Sequence, residues 1–173
     1  MSAVIFYLLH NPEWLSRAVE EIRCTFSSDE DIFLGPALSS CKVLLACIEE
    51  SQRLTPTAPN GPPRTVDAGG ITIDGHHLAE GTVVNGPIFH VQREEAYFES
   101  PHAFKPERWM VHESTAVQDA ERIKHQQKAH MPFHIGPRSC KLDRPRALFM
   151  SGCCISLRTH YFEMALFVRG TKR

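Results

Sequence analysis

A cysteine in the last quarter of the chain stands in a setting that suits a metal ligand. Cys140 follows a loop that begins at Phe133 and contains Gly136, Pro137 and Arg138. We expect this loop to point backbone N–H groups at the sulfur, and both these groups and the nearby guanidinium favour a thiolate. A soft metal ion binds the thiolate rather than the thiol. An inert buried cysteine beside a loop arginine is the alternative interpretation of this segment taken alone.

Two earlier segments place charged residues where they could pair. Glu50 and Arg53 are three residues apart, so on a helix they share one face. Arg108 lies in the short turn Pro106–Trp109, between aromatic residues. Each segment alone also fits a simpler interpretation. The first is equally a solvated helix face, as we expect for the same spacing in residues 20–23, and the second is equally a surface loop.

Taken together and in this order, the three segments resemble the cytochrome P450 family of haem-thiolate monooxygenases. Glu50 and Arg53 match the E-x-x-R pattern of the family's K helix. Pro106–Trp109 matches its P-E-R-W/F turn, and the segment from Phe133 to Cys140 matches F-x-x-G-x-R-x-C. The surrounding residues are similar to fungal members. The resemblance implies a mainly α fold with a small β region, of the α+β class.

The resemblance also implies a haem cofactor and assigns residues to it. Cys140 matches the axial thiolate ligand of the haem iron, whose electron donation favours O–O cleavage on the opposite side of the ring. Arg64 and Arg138 match positions that pair with the haem propionates, for which a planar guanidinium has suitable geometry. Phe133 matches the aromatic residue that packs near the sulfur.

A second group of matched residues is structural. Glu50, Arg53 and Arg108 match a triad that ties the K helix to the loop leading to the cysteine, and the triad supports the haem pocket without being catalytic. Because it contains two cations and one anion, we expect an additional backbone carbonyl or carboxylate partner.

The function implied is haem-dependent monooxygenation, in which one oxygen atom enters an apolar organic substrate, in fungal secondary metabolism. A flavoprotein reductase is the implied electron donor. The alternatives are an inactive truncated remnant and a non-catalytic haem-binding fragment. They stay open because the resemblance makes residues 1–173 the C-terminal part of one domain, with the end of the distal helix, the K-helix region and the cysteine loop.

The sequence departs from the family pattern directly after the cysteine. Leu142 stands where the family has a glycine that lets the backbone pass close to the porphyrin. The segment 141–156 is atypical, with charges where the family has an apolar helix. An unspliced intron or a shifted reading frame is our hypothesis for this segment.

Hydrophobic spacing and turn residues predict the elements that must position these side chains. Asn11 is a suitable N-cap and Pro12 suits the first helical position, so a helix should begin there. Four prolines between residues 55 and 63 exclude a helix in that segment. We expect helices over residues 3–9, 12–26, 36–54 and near 116–127, and strands near residues 65–66, 71–73 and 82–88.

Charge and composition limit the partners. The chain has 19 Lys and Arg against 20 Asp and Glu, so no basic field is available and we expect no nucleic-acid partner. Its longest apolar run, Ala3–Leu9, is far shorter than the roughly 20 residues that a membrane span needs. The family is usually anchored to the endoplasmic reticulum membrane, so the localisation of this chain is left open, a cytoplasmic chain being one option.

Overall fold

The computed structural model describes residues 2–32, 35–134, 153, 154 and 157. Helices dominate this part of the chain, which confirms the α+β class with a small β region. The helices are α1 (Ser2–His10), α2 (Pro12–Thr25), α3 (Pro36–Ser40), α4 (Lys42–Leu54), α5 (Ile88–Val91) and α6 (Ala116–Gln127). The 3-10 turns are Asp29–Asp31, Pro106–Trp109 and Glu113–Thr115, and the strands are β1 (Arg64–Thr65), β2 (Ile71–Ile73), β3 (His76–Leu78) and β4 (Val83–Val84). None of the helices in the described residues is long and apolar enough to cross a membrane.

The core forms where α1 and α2 pack against α4, which also contacts the turn Pro106–Trp109. The buried apolar residues recur at helical spacing, as the sequence predicts. They include Leu8, Leu15, Ala18, Val19, Ile22, Leu44, Cys47 and Ile48. In the C-terminal half of α4, the polar side chains from Glu49 to Arg53 are buried as well. Buried charges of this kind need internal partners.

The predicted helix over residues 36–54 is two helices, separated at Cys41, whose ψ of 81° is not helical. The cause is a side chain from α2. The carboxylate of Glu21 accepts the N–H groups of Val43 and Leu44, both at 2.9 Å. Because the first N–H groups of a helix have no partner within it, this carboxylate stabilises a separate start for α4.

Helix α2 begins at Pro12, as predicted, but Asn11 does not cap it with its side chain. Instead, Nδ2 of Asn11 donates to the carbonyl of Tyr7 at 2.7 Å. The residue therefore satisfies the last turn of α1 and joins the two helices at their junction.

The strands form two antiparallel pairs. β1 pairs with β4, with Arg64 opposite Val84. β2 pairs with β3, with Ile71 opposite Leu78, through a turn at Asp74. Strand β2 was predicted near residues 71–73, whereas β3 was not predicted.

The extension of the last predicted strand to Ile88 is wrong, because Ile88–Val91 forms α5. The carbonyl of Pro87 accepts the N–H groups of His90 and Val91 at 2.9 and 3.1 Å, which closes a helical turn.

Asp119 orders the start of α6. It accepts hydrogen bonds from the N–H of His112 at 3.0 Å, from the hydroxyl of Thr115 at 2.8 Å, and from the guanidinium of Arg122. These donors, the N–H of His112 first, lower the pKa of Asp119 from 3.8 to about 2.

Candidate functional site

Glu50 is the centre of a buried ion network. Glu50 and Arg53 lie one turn apart on α4 and are fully buried. The pair is bidentate, because Nε of Arg53 donates to Oε2 at 3.0 Å and Nη2 donates to Oε1 at 2.8 Å. Nε of Arg108, which is 5% exposed, donates to Oε1 at 3.1 Å. The structure therefore brings together the three residues that the resemblance assigns to the structural triad.

Two further donors complete the coordination of this carboxylate. Nε1 of Trp109 donates to Oε2 of Glu50 at 2.9 Å, and the N–H of Lys105 donates to Oε1 at 3.0 Å. With five donors on two oxygens, the buried charge is well compensated. These two contacts were not predicted, although Trp109 belongs to the P-E-R-W turn that matches the family pattern.

Backbone carbonyls offset the excess positive charge, as the charge count predicts. Nη1 of Arg53 donates to the carbonyls of Gln92 and Pro101 at 2.8 and 2.6 Å. Nη2 of Arg53 donates to that of Ala103 at 3.2 Å, and Nη2 of Arg108 to that of Glu99 at 3.1 Å. These carbonyls lie between α5 and the turn Pro106–Trp109. The network therefore fixes that whole connection against α4.

A second buried pair lies beside the first and was not predicted. Nε2 of His130 lies 2.7 Å from Oε2 of Glu49, and the two side chains are 2% and 6% exposed. The ring of His130 also packs against that of Trp109, with 4.6 Å between the centroids. Because 81 residues separate the partners, no local spacing could have indicated the pair.

Gln92 makes a third connection to the same helix. With its amide nitrogen towards α4, Nε2 donates to the carbonyls of Gln52 and Arg53 at 3.2 and 2.9 Å. Its Oε1 then accepts the N–H of Met131 at 3.2 Å. Gln92 is fully buried, so this orientation leaves neither end of the amide without a partner.

The structure describes two of the four predicted haem-binding residues, Arg64 and Phe133. Arg64 lies exposed on β1, and its guanidinium makes no hydrogen bond or ion pair within residues 2–32 and 35–134. Phe133 is half-buried. Arg138 and Cys140 lie outside the described residues, as does the atypical segment 141–156 apart from Cys153 and Cys154. An exposed guanidinium with no acidic partner among the described residues is of a kind that fits a carboxylate such as a haem propionate.

The described cysteines and histidines offer no competing metal centre. Within the residues that the structure describes, no group of three His, Cys, Asp or Glu side chains could hold a metal ion. Burial raises the pKa of Cys47 above its usual range and that of Cys153 to about 11. These thiols are packing residues rather than ligands.

Comparison with known proteins agrees with this arrangement. A sequence model of the cytochrome P450 family matches residues 1–141. The chain is 37% identical to the cytochrome P450 monooxygenase AFT11-1 of Alternaria alternata, over 95% of the chain and 32% of that relative. It is 38% identical to the monooxygenase atnE of Emericella nidulans, over 96% of the chain and 32% of the relative. It is 39% identical to a cytochrome P450 monooxygenase of Gibberella zeae, over 81% of the chain and 30% of that relative.

The chain belongs to the cytochrome P450 family. Fungal relatives at this identity confirm the fungal type of the resemblance. The chain spans about a third of the length of these curated relatives. The family match ends at residue 141, where the departure from the pattern begins, while the similarity to two relatives covers 164 and 167 residues.

Proposed function

We propose that this chain is part of a haem-dependent monooxygenase in which Cys140 is the thiolate ligand of the haem iron. The observation that carries the proposal is the Glu50 network. It joins the E-x-x-R helix to the P-E-R-W turn through one buried carboxylate, and both segments were singled out by the same resemblance. The named activity of the relatives supports the reaction class.

The residues have distinct roles in this proposal. Haem, when bound, supplies the oxygen-activating chemistry that the side chains of a protein lack. Arg64 and Arg138 hold its propionates, and Phe133 packs beside the sulfur of Cys140. The network around Glu50 has a structural role in this proposal and is not catalytic. It holds the chain segments that lead to the cysteine loop.

The substrate class and the electron donor are further parts of the proposal. We infer an apolar organic substrate of fungal secondary metabolism, oxidised by insertion of one oxygen atom. Electrons come from a flavoprotein reductase. Residues 1–173 contribute part of a single cytochrome P450 domain to this enzyme.

Haem reconstitution tests the proposal. Haemin is added to the purified chain, and the reduced carbon monoxide complex is recorded for the wild type, Cys140→Ser and Cys24→Ser. The second variant is the matched control, because Cys24 is an exposed free thiol on α2. We expect the red-shifted band of thiolate-ligated haem in the wild type and in Cys24→Ser, and its loss in Cys140→Ser.

Two outcomes contradict the proposal. Absence of haem uptake by the wild type favours the remnant. A histidine-type spectrum that Cys140→Ser leaves unchanged favours a haem-binding fragment with another ligand. Arg64→Ala adds a second measurement, since loss of a propionate partner should weaken haem binding without changing the type of spectrum.

A further inference from the structure

The short segment His130–His134 is the last continuous described part of the chain before Cys140. It includes Phe133, where the predicted cysteine loop begins. Backbone hydrogen bonds tie its start to the end of α6, since the N–H of His130 donates to the carbonyl of Gln126 at 3.1 Å. The N–H of His134 donates to that of Met131 at 3.1 Å, which forms a turn. These local bonds shape the segment but do not place it relative to α4.

Two tertiary contacts do place it. The imidazole of His130 bonds the carboxylate of Glu49 at 2.7 Å, and the backbone of Met131 bonds the side chain of Gln92 at 3.2 Å. Both contacts lead to the C-terminal half of α4. The first involves a carboxylate that is almost fully buried, where a hydrogen bond to a charged group is stronger than a neutral one.

Trp109 couples this contact to the Glu50 network. Its indole N–H donates to Glu50, while its ring packs against the imidazole of His130. The side chain of Trp109 therefore lies between the Glu50 network and the pair of Glu49 and His130. Movement of the imidazole would disturb a contact of the residue that also bonds the central carboxylate.

We propose that Glu49 and His130 are positioning residues that fix the start of the cysteine loop against α4. Their pair holds the segment His130–His134, which lies six residues before Cys140 at its nearer end. The inference rests on the proposed function in one respect, which is the role of Cys140 as the haem ligand. The fixing of the segment is a property of the chain itself.

The first arm of the test is hydrogen exchange of the amides in residues 129–134. His130→Phe keeps a ring against Trp109 and removes the nitrogen that bonds Glu49. Its matched control is His125→Phe on α6, since His125 is exposed, stacks on Tyr97 and forms no ion pair with any residue that the structure describes. We expect about ten- to a hundredfold faster exchange in His130→Phe, because a hydrogen bond to a charged group is lost.

His130→Gln separates positioning from bulk. The glutamine amide nitrogen occupies the region of Nε2 and can donate to Glu49, so most of the protection should return. The second arm is the fraction of reconstituted haem with the thiolate-type spectrum. It should fall in His130→Phe, recover in His130→Gln and stay unchanged in His125→Phe.

The two proposals fail in different ways. Equal exchange in His130→Phe and His125→Phe overturns the positioning role, whatever the haem spectrum. A wild type that takes up no thiolate-ligated haem overturns the proposed function, while the exchange comparison still decides the positioning. If His130→Phe does not fold, Glu49→Leu replaces it, since it removes the acceptor of His130 and keeps a side chain of similar length. Exchange in Glu49→Leu at the level of His125→Phe then overturns the inference.

Discussion

Replacing Glu50 with Gln removes one charge from the buried network while it preserves the shape of the side chain. In the wild type, Oε1 accepts three hydrogen bonds and Oε2 accepts two. The amide oxygen is best placed at the Oε1 position, where it keeps the larger set. The amide nitrogen then faces Nε of Arg53 and Nε1 of Trp109, which are both donors.

The cost follows from these contacts. At least two hydrogen bonds are lost, and Arg53 and Arg108 stay buried without an anion. Removing one partner of a buried ion pair costs about 3–5 kcal/mol. Because small domains have stabilities of about 5–15 kcal/mol, this change removes a large fraction of the free energy of unfolding. At a urea m-value of about 2.5 kcal/mol/M, the unfolding midpoint should fall by about 1–2 M.

Urea unfolding followed by far-ultraviolet circular dichroism measures the midpoint. Glu20→Gln is the matched control, because Glu20 lies exposed on α2 in the same Glu-x-x-Arg spacing. An exposed substitution of this kind should change stability by less than about 0.5 kcal/mol. If the midpoints of the two variants agree, the network does not stabilise the fold and the reasoning is refuted.

Three further predictions concern the elements around the network. The pKa of Asp119 in the folded chain is about 2, below its ordinary value of 3.8, so its contribution to stability is complete above about pH 4 and is lost as the pH falls towards 2. Asp119→Asn should therefore flatten the profile of stability against pH in acid unfolding over that range. Glu21→Gln should cost about 1–2 kcal/mol in urea unfolding, because an amide nitrogen cannot accept one of the two N–H groups at the start of α4. Gly61→Ala should lower the melting temperature more than Gly81→Ala: both glycines have positive φ, but only at Gly61 would a Cβ meet a backbone atom, the Gly86 carbonyl at 2.7 Å.

The sequence predicted what depends on local spacing. The apolar periodicity indicated α2 and α4, and the i,i+3 spacing placed Glu50 and Arg53 on one face. Features that depend on how distant segments pack together could not be predicted from the sequence. The break at Cys41 arises because Glu21, on a different helix, caps α4.

The contacts between distant segments show the same limit. Glu49 and His130 meet across 81 residues, and nothing near either residue indicates the other. The resemblance to a family supplied Arg108 as a partner of Glu50. It did not supply Trp109 and Lys105, whose contacts follow from the exact position of the turn.

The consecutive acids of α4 explain how one helix holds two separate segments. Neighbouring residues on an α-helix point about 100° apart, so Glu49 and Glu50 face different partners. Glu50 fixes the connection that ends in the turn Pro106–Trp109, whereas Glu49 fixes His130. For Glu49 to point where Glu50 points, α4 would have to rotate about its axis by about a quarter turn, which would expose its apolar stripe. The packing of α4 against α1 and α2 therefore sets the direction of both carboxylates, and through them the position of the chain that leads to Cys140.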